Sequence, residues 1–486
     1  MSEEKKDPTL LQALIPVSFL VFLLVCSRLL FADDSSYGPN QIALILTAGL
    51  VCILGVRNGY KWSDLEEGIV HGISLSLGAV LILLVVGSLI GTWIMAGIVP
   101  TMIYYGLQIL HPVIFYPATC VICALVAIST GSSWTTASTV GIALIGICAA
   151  LGLNPGITAG AIISGAYFGD KMSPLSDTTN LAPAMAGTDL ITHIRHMFWT
   201  TTPSLIIAII LFAILGFFQH AKAASTDLSA FSGAIQTHFS IGLHLLIPPA
   251  IVILLVVKKM PAFPALLIGA LVGGVFACIF QQEAVLAFVN DTSLPKVVAL
   301  LKGFWMALYK GFVANTGNEK IDNLLSRGGM GEMLNTVWLI ISAMTFGAVM
   351  ETTKMLQKLA STVLSFVRSS GSLIASTLGT SIAMNIIASD QYIAIVIPGR
   401  MYRAEFARRK LHPKNLSRCL EDAGTLTSPL VPWNTCGAFM AGSLQVATGA
   451  YWYFCFFNLL NPIISAIYGF TGFTIEKLED PEEQAA

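Results

Sequence analysis

Residues 156–187 begin as a membrane-spanning helix would and are then interrupted by charged residues and prolines. The first part, 157–169, is made mostly of apolar and small residues. The interruption contains Asp170, Lys171, Pro174, Asp177, Asn180 and Pro183. Charge at membrane depth is costly and usually marks the path of an ion or a substrate. A backbone that cannot stay helical is tolerated there only where it is buried in protein or lines a polar cavity. We therefore expect a broken helix beside such a cavity.

A second interrupted segment resembles the first. The stretches SPLSDTTNLAPAMAG (173–187) and SPLVPWNTCGAFMAG (428–442) have equal lengths, open with Ser-Pro-Leu and close with Met-Ala-Gly. Two interrupted segments at corresponding positions in two halves of a chain are typical of the binding site of a secondary transporter. The sequence therefore predicts an internal repeat whose broken elements, near 170–183 and 425–436, meet at one site.

The overall composition is that of a membrane protein. The chain is 55% hydrophobic and only 11% charged, whereas a soluble domain carries about 25% charged residues. Because a spanning helix needs about 20 apolar residues, we predict an all-α polytopic membrane protein. The apolar segments are 11–31, 40–56, 72–98, 113–130, 134–151, 156–169, 198–218, 241–257, 262–281, 300–313, 334–353, 371–388, 391–404, 416–428 and 447–472. The short neighbours 113–130 and 134–151 form either two crossings or a re-entrant hairpin.

The repeat divides the chain into five parts. The two transmembrane repeats are expected at 40–218 and 297–472, each with a broken helix or re-entrant hairpin. The other parts are an N-terminal helix (1–39), linking helices (219–296) and a polar C-terminal tail (473–486).

The distribution of basic residues predicts the orientation in the membrane. Lys5 and Lys6 place the N-terminus in the cytoplasm, and the basic loop 400–418 belongs on the same side. The loop that corresponds to it in the first half, 147–156, has no basic residue. The two repeats are therefore expected to be inverted relative to each other. The loops near 57–61 and 320–327, which are both basic, do not follow this pattern.

Three groups of polar residues within apolar surroundings are candidate ligands for an ion or a substrate. Hard cations such as Na⁺ prefer carboxylate, amide and carbonyl oxygens. The first group is the run 130–136, a candidate hairpin tip that includes Ser133. The second group comprises Asp170, Ser173, Ser176, Asp177, Thr178, Thr179 and Asn180. The third group comprises Asn385, Ser389, Asp390, Glu421, Asp422, Thr425, Thr427, Ser428, Asn434 and Thr435. Asp177 and Asn180 lie one helical turn apart and are the predicted Na⁺ ligands.

Structural roles compete with these assignments. Asp170 forms either a binding carboxylate or a structural pair with Lys171 or another cation. Asp390 lies between two apolar runs and is the best intramembrane acid of the second half. Glu421 and Asp422 lie close to the basic loop, where we expect surface salt bridges.

Several function classes lack support in the sequence. Cys120 and Cys123 share one face of an apolar helix without partners for a metal or redox site, so we expect them to be reduced packing residues. No phosphate-binding loop, metal-ligand spacing or nucleophile–base set is present, so neither ATP-driven transport nor enzyme chemistry is supported. A net charge of −1 argues against a nucleic acid partner. We expect no cofactor and an ion gradient as the energy source.

The run STGSSWTTASTVGIAL (129–144), followed by GAYFGDKMSPLSDTTNLA (165–182), resembles the NhaC family of bacterial Na⁺/H⁺ antiporters. The resemblance covers nearly the whole chain. It implies a transporter of the bacterial inner membrane with inverted repeats and paired hairpins, which exchanges cytoplasmic Na⁺ for external H⁺. The motif residues to which it extends are Ser133, Asp170, Ser173, Asp177, Thr178, Thr179 and Asn180. The second copy departs from the first, because Pro432 stands where the first has Asp177.

The expected mechanism is competition between Na⁺ and H⁺ for buried carboxylates, namely Asp177 and Asp170 or Asp390. Asp177→Asn is expected to fold and to lose exchange, because an unpaired carboxylate in a dry site needs a proton or a cation. A subgroup of the family is similar but exchanges malate and protons for Na⁺ and lactate, and nothing in the spacing separates the two activities. The partners expected are Na⁺, H⁺, the lipid bilayer and, in the subgroup, malate and lactate. The oligomeric state is open, and a homodimer is compatible with the sequence.

Overall fold

The computed structural model describes residues 5–31, 34, 35, 37–223, 233, 235–317 and 319–478. Within these residues the chain is almost entirely helical, and the only β-pairing consists of isolated bridges between Phe312 and Arg327 and between Leu411 and Lys477. The α-helices are α1 (Leu10–Phe31), α2 (Pro39–Arg57), α3 (Trp62–Met95), α4 (Ile98–Ile109), α5 (Phe115–Thr130), α6 (Ser133–Thr136), α7 (Ile142–Ala150), α8 (Pro155–Met172), α9 (Asp177–Ala186), α10 (Leu190–Ala223), α11 (Ile247–Val257), α12 (Ala262–Phe280), α13 (Gln282–Val289), α14 (Lys296–Lys310), α15 (Glu319–Leu325), α16 (Leu334–Thr352), α17 (Met355–Ser365), α18 (Ser370–Ile387), α19 (Gln391–Arg408), α20 (Pro413–Cys419), α21 (Thr435–Leu444), α22 (Thr448–Tyr451) and α23 (Phe456–Thr471).

Tighter and wider helical turns connect some of these helices. The described part of the chain contains two π-helical turns, at Ala137–Gly141 between α6 and α7 and at Leu420–Thr425 directly after α20. The 3₁₀ turns are Pro112–Ile114, Leu243–Leu246, Met330–Met333, Ser428–Leu430 and Trp452–Phe454.

In the described residues, nine helices are long and apolar enough to cross a membrane. They are Leu10–Phe31, Pro39–Arg57, Trp62–Met95, Pro112–Thr130, Ser133–Ala150, Leu190–Phe218, Ala262–Phe280, Met330–Thr352 and Ser370–Ile387. Each overlaps a predicted apolar segment, although Trp62–Met95 and Leu190–Phe218 begin well before the predicted starts at 72 and 198. The expectation of an all-α polytopic membrane protein is confirmed. The predicted segment 447–472 is bent by 50° between Thr448–Phe454 and Phe456–Thr471.

Two hairpins have tips of the same local design. In the first, α5 ends at Thr130, Gly131 has a left-handed φ of 68° and Ser132 is the N-cap of α6. In the second, α18 is followed by Ser389 with a left-handed φ of 61°, and Asp390 is the N-cap of α19. A side-chain oxygen at the N-cap accepts hydrogen bonds from backbone N–H groups that the helix itself leaves unpaired. The cap and the left-handed residue before it therefore reverse the chain within a few residues.

A broken helix follows each hairpin. In the first half, α8 ends at Met172 and α9 begins at Asp177, with Ser176 as its N-cap. In the second half, α20 continues through the π-helical turn and Ser428–Leu430 to α21, whose N-cap is Asn434. The order hairpin and then broken helix thus recurs in both halves. The inversion of the two repeats and their boundaries at 40–218 and 297–472 stay predictions.

Candidate functional site

The two hairpin tips and the two broken helices surround one cavity of about 950 Å³. The first half lines it with residues 130–135, Asp170 and residues 174–178. The second half contributes Asp390, Gln391, Tyr392 and Thr435, and residues 259–264 and parts of 75–82 complete the wall. The two interrupted segments therefore meet at one site, as the repeated Ser-Pro-Leu motif predicts.

Asp170 joins the first broken helix to the first hairpin tip. It lies in the last turn of α8, is only 9% exposed and borders the cavity. Its Oδ2 accepts a hydrogen bond from Ser133 Oγ at 2.6 Å and a second from Ser133 N at 3.2 Å. Because Ser133 is the first residue of α6, the carboxylate also faces the positive end of a helix dipole. Lys171 pairs with Asp422 and not with Asp170, so the structural pair of Asp170 with Lys171 that the sequence left open is not formed.

The hydroxyl and amide groups around the first break mostly hold the break in place. Ser173 Oγ donates to Ile128 O at 2.9 Å, and Thr179 Oγ1 lies 3.1 Å from the carbonyl oxygens of both Asp170 and Lys171. Asn180 Nδ2 donates to Ser176 O at 2.7 Å and to Pro174 O at 3.0 Å. These side chains thus add hydrogen bonds to carbonyl groups at the break and near the end of α5, where helix termini leave carbonyls short of partners.

Asp177 differs from Asp170 in its surroundings. It is the first residue of α9, its side chain is exposed, and it lines the cavity. The expectation that it lies in a dry site is therefore wrong, because the N-terminus of α9 opens towards the cavity. Asn180, the other predicted Na⁺ ligand, lies outside the cavity lining. In the described part of the chain, no three His, Cys, Asp or Glu side chains cluster as metal ligands would.

Asp390 provides a second buried carboxylate across the cavity. It is 5% exposed, and its Oδ1 accepts hydrogen bonds from Tyr392 N at 2.8 Å and Ile393 N at 3.1 Å. Its Oδ2 has a long contact of 3.4 Å with Thr435 Oγ1. Asp390 thus caps α19 with one oxygen, and its other oxygen lies near Thr435, which also lines the cavity.

The remaining predicted residues of the second half hold the second hairpin tip and the second broken helix in place. Asn434 Nδ2 donates to the backbone and side-chain oxygens of Asn385, both at 3.1 Å, and Asn434 caps α21 through Cys436 N. Ser428 Oγ donates to Thr425 O at 2.6 Å and lies 3.4 Å from Gln391 Oε1. Both residues are buried, and of the predicted second-half ligands only Asp390 and Thr435 line the cavity.

The charges that line the cavity favour cations. Among the described residues that line the cavity are the carboxylates of Asp170, Asp177 and Asp390 but only one basic residue, Lys259. A cleft with an excess of negative charge raises the local concentration of cations. Arg400 and Arg403 of the basic loop 400–418 are exposed and do not line the cavity.

A buried polar cluster beside the cavity was not predicted as such. Lys171 pairs with Asp422, which lies 251 positions further along the chain, and both side chains are fully buried. Glu421 is fully buried as well. The expectation that Glu421 and Asp422 form surface salt bridges with the basic loop is therefore wrong. The sequence did contain an indication of this burial, because both residues lie inside the apolar segment 416–428.

Comparisons with known proteins agree with these features. A model of the Na⁺/H⁺ antiporter family matches residues 165–473, a range that includes both interrupted segments. The Na⁺/H⁺ antiporter NhaC of Alkalihalophilus pseudofirmus is 38% identical over 437 residues, which cover 90% of this chain and 91% of that protein. The malate-2H⁺/Na⁺-lactate antiporter of Bacillus subtilis is 39% identical over 467 residues, with coverage of 96% and 95%. NhaC of Bacillus subtilis is 36% identical over 471 residues, with coverage of 97% and 99%. The chain therefore belongs to the Na⁺/H⁺ antiporter family.

Proposed function

We propose that this multi-pass membrane protein is a secondary transporter that exchanges cytoplasmic Na⁺ for external H⁺. The family and the names of two similar proteins support this activity. We further propose that it resides in the bacterial inner membrane with a cytoplasmic N-terminus. Transport of this kind needs neither a cofactor nor covalent chemistry.

The observation that carries the proposal is the position of Asp170. Its carboxylate is buried at the cavity wall and is held by two hydrogen bonds from Ser133. A carboxylate withdrawn from water without a cation is costly, so it is stable when it binds a cation or a proton. Asp170 is therefore the proposed Na⁺ site, and occupation of this site by Na⁺ is coupled to proton movement in the opposite direction.

Each neighbouring group has a distinct part in this mechanism. Ser133 Oγ and the N-terminus of α6 orient Asp170 towards the cavity. Asp390 and Thr435 offer oxygens from the opposite half, and Asp177 attracts cations at the exposed edge. Because oxygens from both hairpin tips and both broken helices face one cavity, a movement of one half against the other would change the side from which the site is open.

A second candidate function is coupled exchange of malate and protons for Na⁺ and lactate. The cavity volume of about 950 Å³ is far more than one Na⁺ needs and lies in the range of about 300–1,000 Å³ that small-molecule sites occupy. The Bacillus subtilis malate-2H⁺/Na⁺-lactate antiporter is also among the similar proteins. The acidic lining argues against a carboxylate substrate that enters without cations.

The test is Na⁺-driven proton movement in proteoliposomes with a pH-sensitive dye inside. The parent protein should acidify or alkalinise the lumen according to the direction of the Na⁺ gradient, without malate or lactate. Asp170→Asn should reduce the rate at least tenfold, whereas Asp291→Asn, at a surface pair with Lys302, should not. Movement that requires malate and lactate would favour the second function. Unchanged exchange by Asp170→Asn would refute the assignment of Asp170.

A further inference from the structure

Glu421 and Asp422 are adjacent acids in a π-helical turn. None of the residues of this turn lines the cavity. All six residues of this turn, Leu420–Thr425, are buried. Turns of this kind interrupt the regular hydrogen bonding of a helix and frequently occur at functional sites. Two adjacent buried acids in one such turn need compensation for their charge.

Asp422 has that compensation. It forms an ion pair with Lys171, and its Oδ1 also accepts a hydrogen bond from Thr200 Oγ1 at 3.1 Å. Arg418 Nε lies 3.9 Å from its other carboxylate oxygen. Lys171 in turn donates to Asn461 Oδ1 at 3.0 Å. The ammonium of Lys171 is therefore engaged by Asp422 and Asn461.

Glu421 has no such partner. Its side chain is 0% exposed, and neither carboxyl oxygen has a hydrogen-bond partner among the residues that the structure describes. Its polar neighbours are Thr425 in the same turn, Thr178 on α9, and Lys171 and Asp170 on α8. An ionised carboxylate in this position would be both desolvated and unpaired, which is the most costly state for such a group.

The other charges on the elements packed against this turn are occupied elsewhere. Helix α18 carries no titratable side chain, and α23 carries only a tyrosine. On α19, Glu405 pairs with Arg408 and Arg409, and the arginines at 400 and 403 are exposed. On α10, His193 bonds to Ser417 Oγ, and His196 lies near Arg418 and Lys414. On α9, which also packs against this turn, Asp177 is exposed and lines the cavity. Among the described residues, the charged neighbours of Glu421 are thus Lys171 and Asp170 on α8 and the groups already named on its own segment.

Thr178 is both a polar neighbour of Glu421 and part of the cavity lining. This threonine lines the cavity, and its Oγ1 lies 3.2 Å from Ser176 Oγ, which lines the cavity as well. A hydroxyl group both donates and accepts hydrogen bonds. It can therefore give its proton to one neighbour while it takes a proton from water on the other side.

We propose that Glu421 is the proton-binding group of the exchange cycle, reached from the cavity through the hydroxyl of Thr178 and separate from the Na⁺ site at Asp170. This inference rests on the proposed Na⁺/H⁺ exchange. A negative charge on nearby Asp170 stabilises the protonated form of Glu421. Na⁺ at Asp170 cancels that charge and releases the proton from Glu421. The two sites are then coupled with the sign that an antiporter requires.

The test compares Glu421→Gln with the parent in two measurements. In the first, Na⁺ is added to purified protein in weakly buffered detergent solution, and a dye records the protons released. In the second, two activities are measured in proteoliposomes. Labelled Na⁺ reports Na⁺/Na⁺ exchange, and a pH-sensitive dye reports Na⁺-driven proton movement. Glu283→Gln, at an exposed acid on α13, is the matched control.

The rate of Na⁺/Na⁺ exchange by Glu421→Gln should stay within about twofold of the parent rate. The rate of Na⁺-driven proton movement should fall at least tenfold, which corresponds to about 1.4 kcal/mol. The variant should also release no proton when Na⁺ binds. Thr178→Val should slow proton movement while Thr178→Ser retains it. Asp170→Asn should lose both exchange modes, and Glu283→Gln should lose neither.

The outcomes separate this inference from the proposed function. A parent protein without Na⁺-driven proton movement would refute both. An active parent with an equally active Glu421→Gln variant and an unchanged pH profile would refute only the role of Glu421. Glutamine has the shape of the protonated acid, so a Glu421→Gln variant that fails to fold would mean that the charge itself is structural, which also overturns the inference.

Discussion

The ion pair between Lys171 and Asp422 should be a strongly coupled structural link between the two halves of the protein. Both side chains are fully buried. Removal of one partner from a buried pair leaves an uncompensated charge and costs about 3–5 kcal/mol, whereas replacement of both by apolar residues is often close to neutral. Asp422→Leu and Lys171→Met should therefore each be destabilising, and the double variant should recover most of the loss.

The contacts of the pair predict that the two single variants differ. After Asp422→Leu, Lys171 keeps the hydrogen bond to Asn461 at 3.0 Å, and its other acidic neighbour, Glu421, is proposed to be protonated and therefore neutral. After Lys171→Met, Asp422 keeps the hydroxyl of Thr200 at 3.1 Å and Arg418 at 3.9 Å. Because a positive charge remains near Asp422 in the second case, Asp422→Leu should be the more destabilising change.

The assay is thermal unfolding of detergent-purified protein. The folded protein that remains at each temperature is measured by size-exclusion chromatography with fluorescence detection. The exposed pair of Lys302 and Asp291, with Nζ and Oδ2 2.9 Å apart, provides the control cycle. Its coupling should be about 0–1 kcal/mol, as for other surface pairs. A coupling below about 1 kcal/mol in the Lys171–Asp422 cycle, or a double variant as unstable as the sum of the single variants, would refute the reasoning.

Three further predictions concern the cavity and its supports. Gly131→Ala should reduce the yield of folded protein and the transport rate, because a left-handed φ costs about 1–2 kcal/mol for other residues and a Cβ there would lie 2.8 Å from the backbone carbon of Leu175. The control is Gly49→Ala, where a Cβ meets nothing within 4 Å. Equal yields of the two variants would contradict this prediction. Asp177→Asn should raise the half-saturating Na⁺ concentration by up to about fivefold, since exposed charges contribute about 0.2–1 kcal/mol. The maximal rate of exchange should stay the same. Loss of exchange at saturating Na⁺ would show that Asp177 carries the ion itself. The double variant Cys120→Ala, Cys123→Ala should keep transport, because both thiols are buried and free; loss of transport in a folded variant would argue against a packing role.

Within the described residues, nine of the fifteen apolar segments of the sequence correspond to helices long and apolar enough to cross a membrane. Whether a segment of about 20 residues crosses a membrane depends mainly on the hydropathy of its own residues. The same locality explains the two breaks, since Pro174 and the charges around it interrupt a helix whatever surrounds them. The left-handed residues at the two tips, Gly131 and Ser389, were contained in predicted polar runs, but their equivalent geometry was not apparent from their different identities.

Only the tertiary structure decided which acids lose contact with water. Asp177 and Asp170 lie seven positions apart in one motif, yet the first is exposed in the cavity and the second is buried against Ser133. Lys171 could not be assigned to Asp422 from the sequence, because the two are 251 positions apart and meet only when the halves pack together. Burial and pairing depend on neighbours that are distant in the chain, whereas hydropathy is a property of each segment alone. The sequence by itself therefore determined the membrane architecture and the place of the breaks, and packing between the two halves determined the chemistry of each carboxylate.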